Sequence, residues 1–324
     1  MRYLFLLNPK AGKQDSSEAL CTELVRALTR AGIPAEQYEI KKTEFAGHAR
    51  ELAAAAARSG EEVRIFAAGG DGTLNEALCG AYGYANAAVG CLPYGSGNDF
   101  LRTFGTREEF RDLDAQLAGG AVQIDMIESS CGLSATICAA GLDAQVAYDI
   151  PTFRRLPFCG GEMAYLLSIV KQLCGNRSRA VEYKIDGETL RLESMISAIC
   201  NGRYYGGGFA AAPEACPDDG WLDVFIVRKA NLLAIAKLLM LYKAGKHFKD
   251  GRLTAAAAPY FVYRRARQVT LRPVDGRGPI IATADGECGP ADTLTAELKP
   301  LAANVLLPKA AYERFVAAKA AAAQ

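Results

Sequence analysis

The chain has 324 residues, with 37 Lys and Arg against 36 Asp and Glu, 50% hydrophobic residues and 23% charged ones. Such a length and composition fit about two ordinary globular domains. The balanced charge excludes a polybasic nucleic-acid binder and a strongly cationic membrane protein, so any basic patch is local.

The apolar opening at 1–7 is too short for a signal segment and stops at Asn8-Pro9, so it reads as a strand over 3–7. A helix is predicted at 16–31, where Leu20, Leu24, Val25 and Leu28 share a face and Gly32 follows. Next come a strand at 35–40, an Ala-rich helix at 46–59, a buried strand at 63–68, a helix at 73–79 and a strand at 88–92. Alternation of this kind predicts a doubly wound α/β domain over 1–125, a parallel sheet with helices on both faces.

From 126 the pattern changes to short strands at 134–140, 180–185, 189–193, 194–201, 222–227, 268–272 and 280–284, with turns such as Asp186-Gly187 between them. That density predicts a β-sandwich-like domain over 126–300. Helices interrupt it at 163–174 and 231–243, and the stretch 310–323 is Ala-rich and helix-prone. Segment 151–174, with Phe153, Arg154, Arg155 and Phe158, reads as core packing, with a membrane-facing lip as the alternative. No stretch reaches the ~18 apolar residues that a spanning helix needs. The strongest, 232–242, is short and interrupted by Lys237. Ten cysteines without a C-x-x-C pair, beside two histidines, exclude a zinc site of ordinary spacing and read as buried, reduced thiols of a cytosolic protein.

Three glycine-bearing turns each follow a predicted strand. Gly69-Gly70-Asp71-Gly72-Thr73-Leu74-Asn75-Glu76 opens a helix. Its glycines admit close backbone approach, and its N–H groups with the helix N-terminus attract phosphate. Asp71, acidic in such a loop, meets phosphate through Mg²⁺ or orients a donor. Asn8-Pro9-Lys10-Ala11-Gly12-Lys13 follows the first strand, with Lys13 available to lie over a triphosphate. Pro93-Tyr94-Gly95-Ser96-Gly97-Asn98-Asp99-Phe100 follows another. Open parallel sheets bind ligands beyond the carboxyl ends of their strands, so three such turns converge on one edge. Neither a P-loop nor G-x-G-x-x-G after the first strand is present, which disfavours a dinucleotide Rossmann site. On their own, Asp285-Gly286-Glu287 and Asp218-Asp219-Gly220 read as hairpin turns. His48, at a helix start, fits a helix-terminus or nucleotide-edge role. His247, among Lys243, Lys246 and Lys249, reads as part of a solvated basic face, with anionic lipid headgroups as the alternative.

Together these motifs resemble the diacylglycerol kinase catalytic-domain family, specifically its soluble bacterial lipid kinases related to sphingosine kinases. The likeness continues through Thr43, Gly47-His48-Ala49, Asn201-Gly202, Gly206-Gly207-Gly208, Asp218 to Asp223 and Asp285-Gly286-Glu287, in family order over nearly the whole chain. It implies an active site in a cleft between the two domains, and residues 301–324 returning to the N-terminal domain. ATP is placed against Asn8, Pro9, Gly12, Lys13, Thr43, Gly69, Gly70, Asp71, Gly72, Thr73, Asn75, Glu76, Gly95, Ser96 and Asn98. Asp285 is implied as proton acceptor for the lipid hydroxyl, with Glu287 beside it and Asp71 in the catalytic group. A structural Mg²⁺ is implied on the Asp219 carboxylate and the carbonyls of Cys216 and Trp221, apart from the Mg²⁺ that accompanies ATP. The expected activity is ATP- and Mg²⁺-dependent phosphorylation of a lipid alcohol, most simply diacylglycerol, by a cytoplasmic protein in peripheral contact with a membrane. Sphingoid bases, phosphatidylglycerol, NAD phosphorylation and a non-catalytic nucleotide- or lipid-binding regulator are the alternatives. Oligomeric state stays open, a homodimer included.

Overall fold

The computed structural model describes residues 1–12, 15, 17–95, 97–154, 167–168, 171–172 and 178–322. Most of the helix expected at 163–174 and of the alternative lip falls outside these residues. The chain divides into two compact units, Met1–Asp125 together with Pro300–Gln324, and Met126–Lys299.

The first unit alternates β1 (Arg2–Leu7), α1 (Ser17–Arg30), β2 (Tyr38–Lys42), α2 (His48–Arg58), β3 (Val63–Gly69), α3 (Asp71–Ala81) and β4 (Ala87–Pro93). Two short helices, α4 (Arg107–Arg111) and α5 (Leu113–Leu117), precede β5 (Gly120–Ser129). The strands run parallel in the order β2-β1-β3-β4. Parallel strands are buried on both faces, which is why β1 and β3 read as continuous apolar runs. Tyr3, Phe5 and Leu7 pack with Phe66, Ala68 and Leu92 beneath Leu20, Leu24 and Leu28 of α1. Leu4, Leu6, Ile65 and Ala67 point the other way along the same strands, and α2 and α3 contact β3 as a pair.

Two boundaries differ from expectation for local reasons. Pro34 leads into a 3₁₀ turn at Ala35–Gln37, so the strand starts only at Tyr38. The third helix starts at Asp71 rather than Thr73, because Gly70 is still extended and the Leu74 N–H already reaches the Gly70 carbonyl.

α2 meets α3 through small residues: Ala49, Ala53 and Ala57 are buried, and a Cβ on Gly80 would lie 2.3 Å from the Arg50 carbonyl oxygen. Gly80→Ala is therefore expected to destabilise the protein by about 1–3 kcal/mol, overriding the helix-propensity gain of about 1 kcal/mol. Urea unfolding checks it; an unchanged or raised midpoint would show that the helices separate at no cost.

The second unit contains β6 (Gly132–Ser134), β7 (Ile137–Gly141), α6 (Leu142–Arg154), β8 (Arg179–Ile185), β9 (Glu188–Cys200) and β10 (Leu222–Arg228). It continues with α7 (Leu232–Lys243), β11 (Phe248–Lys249), β12 (Arg252–Leu253), β13 (Phe261–Ala266), β14 (Gln268–Pro273), β15 (Ile280–Ala284), β16 (Glu287–Ala291) and the start of β17 (Leu294–Leu307). Pairing is antiparallel, in the order β16-β15-β7-β9-β8-β14-β17, and β10 joins β9 to β13. Alternation along β10 divides the core: Leu222, Val224 and Ile226 enter one apolar cluster, Phe225 and Val227 another with Leu238 and Tyr242 of α7. This is the β-sandwich-like class expected.

Two expected strands at 189–193 and 194–201 are one, β9. The division marks a change of partner, not of conformation: 188–194 pair with β8, then 196–200 pair with β7 and β10. Conversely, the strand expected at 134–140 is broken at Ala135-Thr136.

The end of β17 returns to the first unit, running parallel to β4 with Val305 opposite Val89 and Leu306 opposite Gly90. α8 (Lys309–Ala322) follows, tied there by an Arg314–Glu109 ion pair of 2.6 Å and by Phe315 against Phe104.

Candidate active site

In the first unit the chain leaves β1 toward β2 on one side and returns to β3 on the other. In open α/β sheets such a switch in strand order opens a crevice at the carboxyl ends of the two central strands. The turns after β1, β3 and β4 meet there. Tyr94 and Gly95 both donate N–H groups to the Gly69 carbonyl, at 3.0 and 2.8 Å. Asn8 Nδ2 donates to Thr73 Oγ1 at 2.9 Å, and Asn8 Oδ1 accepts from the Lys10 N–H. Gly12, at φ +84°, comes so near Tyr94 that a Cβ would lie 3.0 Å from its carbonyl oxygen. A Cβ on Gly95 would lie 2.3 Å from Gly70 Cα, so these backbones touch without side chains between them.

Asp71 knits the turns together. Its carboxylate accepts the N–H groups of Asn98 and Asp99, both at 2.7 Å, and so fixes the turn after β4. Both oxygens thereby accept backbone donors and hold the turn after β4 in place. Glu76 acts similarly at a fourth segment, accepting the N–H groups of Gly47 and Ala49 at 2.8 and 3.2 Å. Thr43 is buried and donates its N–H to the Leu7 carbonyl. Asn75 Oδ1 lies 3.5 Å from Cys79 Sγ, within α3. His48 opens α2, accepts the Glu44 N–H on Nδ1 and stacks on Phe45. Pro9 borders the first turn half-exposed, and Gly72 has open space where a Cβ would point. Lys13 and Ser96 lie outside the described residues. Arg107, which sequence reading missed, donates to the carbonyls of Gly95 and Pro93 from an element 12 or more residues away, with no motif to signal it.

Buried Asn98, at φ +53°, keeps one side-chain amide hydrogen bond to the Gly95 carbonyl, while its Oδ1 has no partner among the described residues. An orphan buried acceptor beside three glycine turns and a helix N-terminus fits a ligand that carries both phosphate and donors. Among the described residues no group of three or more His, Cys, Asp or Glu side chains is placed to hold a metal. A Mg²⁺ at these turns would therefore take most of its oxygens from the nucleotide's phosphates.

Asp285 belongs to the second unit. With Gly286 it forms the two-residue turn between β15 and β16, both at positive φ, +44° and +98°. Its carboxylate accepts N–H groups from Ala135 at 2.7 Å, Thr136 at 3.1 Å and Ile137 at 2.9 Å, the break between β6 and β7. Asn201 and Gly202 close the same group, donating N–H to the Thr136 carbonyl while Asn201 Nδ2 reaches the Ala135 carbonyl. Glu287 follows, exposed, at the start of β16. Near this strand, burial lifts the Asp143 carboxyl to about 6, and Tyr205 donates its hydroxyl to it. Nothing in the sequence singled out Asp143.

The residues expected to hold a structural Mg²⁺ lie in the segment that leads into β10. Arg265 puts its guanidinium on the Asp219 carboxylate, whose other oxygen accepts the Trp221 N–H at 3.0 Å. The Cys216 carbonyl accepts from Asp219 N, and the Arg265 and Arg267 guanidiniums lie over the Trp221 ring at 5.5 and 4.7 Å.

His247 also departs from expectation: it is fully buried, not part of a solvated face. Its Nε2 lies 3.0 Å from the Ala211 carbonyl, which makes that nitrogen the protonated one, and its ring stacks on Phe261 and meets Phe225 edge-on. Desolvation lowers its pKa. As pH falls the unfolded chain takes the proton first, near 6.5, while the folded ring resists until lower pH. Stability from His247 is thus complete above about 6.5 and lost below it. His247→Gln keeps a donor and removes the titration. The wild type is expected to lose urea midpoint relative to this variant between about pH 7.5 and 5.5; parallel midpoints would exclude the linkage. Cys91, Cys138 and Cys200 are buried as expected, and burial raises their thiols, Cys138 to about 12. Five further cysteines are half-buried, and none of the eight described forms a disulfide.

Two domain families match the chain one after the other. Residues 2–129 match the diacylglycerol kinase catalytic domain, and residues 136–307 match the YegS C-terminal NAD kinase beta sandwich-like domain. A Bacillus subtilis (strain 168) diacylglycerol kinase is 28% identical over 273 residues, covering 83% of this chain and 85% of the relative. A Staphylococcus aureus (strain bovine RF122 / ET3-1) diacylglycerol kinase is 27% identical over 301 residues, covering 91% and 90%. A solved structure from Bacillus anthracis str. Sterne, provisionally assigned as a diacylglycerol kinase, superposes with a TM-score of 0.73 over 96% of this chain and 97% of its own. At 22% identity that likeness speaks to the fold alone.

Proposed function

Because the chain belongs to the diacylglycerol kinase family, with a catalytic domain followed by the YegS-type β-sandwich-like domain, we propose that it is an ATP- and Mg²⁺-dependent lipid kinase acting on diacylglycerol. The observation that carries this reading is the meeting of the turns after β1, β3 and β4 at the switch between β1 and β3, stitched by Asp71. Glycine backbone and the N-terminus of α3 suit a nucleotide's phosphates, and the orphan Asn98 oxygen suits one of its N–H or O–H donors.

Phosphoryl transfer asks little covalent chemistry of a protein and much positioning. Mg²⁺ arriving with ATP would neutralise phosphate charge. The lipid hydroxyl oxygen forms a bond to the γ-phosphorus, the bond from that phosphorus to the β-bridging oxygen breaks, and ADP leaves. The hydroxyl proton passes to Asp285, the carboxylate that three backbone N–H groups hold in place. The products are phosphatidic acid and ADP.

The test is transfer of label from γ-labelled ATP, with Mg²⁺, to diacylglycerol, sphingosine, phosphatidylglycerol and NAD in parallel. Labelled phosphatidic acid is expected. Label in another lipid would move the substrate and keep the reaction class; label in NAD alone, or in nothing, would overturn the reading.

A further inference from the structure

α7 is amphipathic in an unusual sense: its outer side is apolar. Leu238 and Tyr242 enter the core, whereas Leu233 is 86% exposed, Met240 70% and Leu232 53%. Residues 232, 236 and 240 are four apart and share a face, with 233 beside them, so the exposed apolar side chains form one stripe along a helix ~18 Å long. Monomeric proteins rarely leave such stripes bare without a use for them.

The charges along the helix have one sign. Lys237 and Lys243 stand exposed on the same helix, Lys246 and Lys249 follow it, and no Asp or Glu occurs from Val224 to Lys249. Lys243 lies over the Phe209 ring, 5.8 Å from its centroid. A second copy docked on this stripe would bring like-charged lysines together with no acid on either helix to pair them, which disfavours self-association. An anionic bilayer offers what the stripe lacks, hydrocarbon for the leucines and negative headgroups for the lysines.

We infer that α7 is the membrane-docking element of this protein, lying flat in the headgroup region of an anionic bilayer with Leu232, Leu233 and Met240 among the acyl chains. The helix is too short to span and needs only to lie in the surface. The inference rests on the lipid-kinase reading for what the docking serves, since a substrate with two acyl chains resides in a membrane.

The experiment is cosedimentation of the full chain with vesicles of phosphatidylcholine, with and without phosphatidylglycerol. It compares wild type with Leu233→Glu/Met240→Glu and with Lys237→Glu/Lys243→Glu. Wild type is expected to partition onto the phosphatidylglycerol vesicles, and the leucine–methionine variant to lose at least about tenfold of that partitioning. The lysine variant is expected to lose binding by a similar factor and to lose its salt sensitivity. All four positions are exposed, and thermal unfolding of both variants is expected to match wild type. Equal vesicle binding by wild type and the leucine–methionine variant would overturn the inference. So would a wild-type dimer that ignores vesicles and dissociates on the same substitutions. Turnover of a lipid alcohol in detergent micelles is expected to survive in the docking variants, so an absent kinase and an absent docking helix give different results.

Discussion

Asp285→Asn is expected to lower kcat for lipid phosphorylation by about a thousandfold while ATP affinity stays within a factor of about two. The substitution keeps the side-chain shape and tolerates the positive φ of this turn position, which Asn adopts more readily than Ala. It removes the proton acceptor. It also turns an amide NH₂ toward a nest of N–H donors at Ala135, Thr136 and Ile137, whichever way the amide is oriented. That leaves at least one buried donor unpaired, at a cost of about 1–3 kcal/mol in stability. The two effects separate experimentally. A loss of stability alone lowers the unfolding midpoint and leaves turnover of the folded fraction intact. Loss of the base depresses kcat at saturating ATP and lipid, and abolishes the acidic limb of the pH–rate profile. A folded Asp285→Asn protein with wild-type turnover would remove Asp285 from the base role.

Gly95→Ala is expected to weaken ATP binding by about a hundredfold, or about 2.7 kcal/mol. The added methyl would stand 2.3 Å from Gly70 Cα and 2.9 Å from Gly70 N, and neither backbone atom can rotate aside as a side chain would. The turn after β4 must then withdraw from the turn after β3, breaking the N–H bonds from Tyr94 and Gly95 to the Gly69 carbonyl. Gly72→Ala is the companion measurement. Nothing lies within 4 Å of a Cβ there, so the unfolding midpoint is expected to hold. Any fall in ATP affinity at Gly72 then reports the nucleotide itself. Calorimetric titration with ATP and Mg²⁺ checks both; undiminished binding by Gly95→Ala would separate these turns from the nucleotide.

What could be read from the residues in advance was whatever local chemistry dictates. Glycine and asparagine punctuation after apolar strands located the turns of the first unit, and helical spacing located α1. β16 escaped notice because Glu-Cys-Gly-Pro-Ala has little strand propensity, and it persists as the terminal strand of its sheet path, where a proline is tolerated. α6 escaped because Pro151 sits within its span and its apolar residues form no clear stripe. His247 was misread because its lysine neighbours in sequence are not its neighbours in space; Phe225 and Phe261 arrive from β10 and β13. The Arg265 guanidinium on Asp219 came from 46 residues away. Long-range pairing decided each of these, and no window along the chain contains it.

The return of β17 to β4 has a consequence for biosynthesis. A ribosome delivers residues 1–125 well before residues 300–324, yet their sheet receives its β17 strand from that later segment. Until then β4 presents unpaired N–H and C=O groups along one side, a template for mispairing between nascent chains. A fragment cut after Asp125 would inherit that open edge permanently, so the half that carries the glycine turns is the half least able to be produced alone.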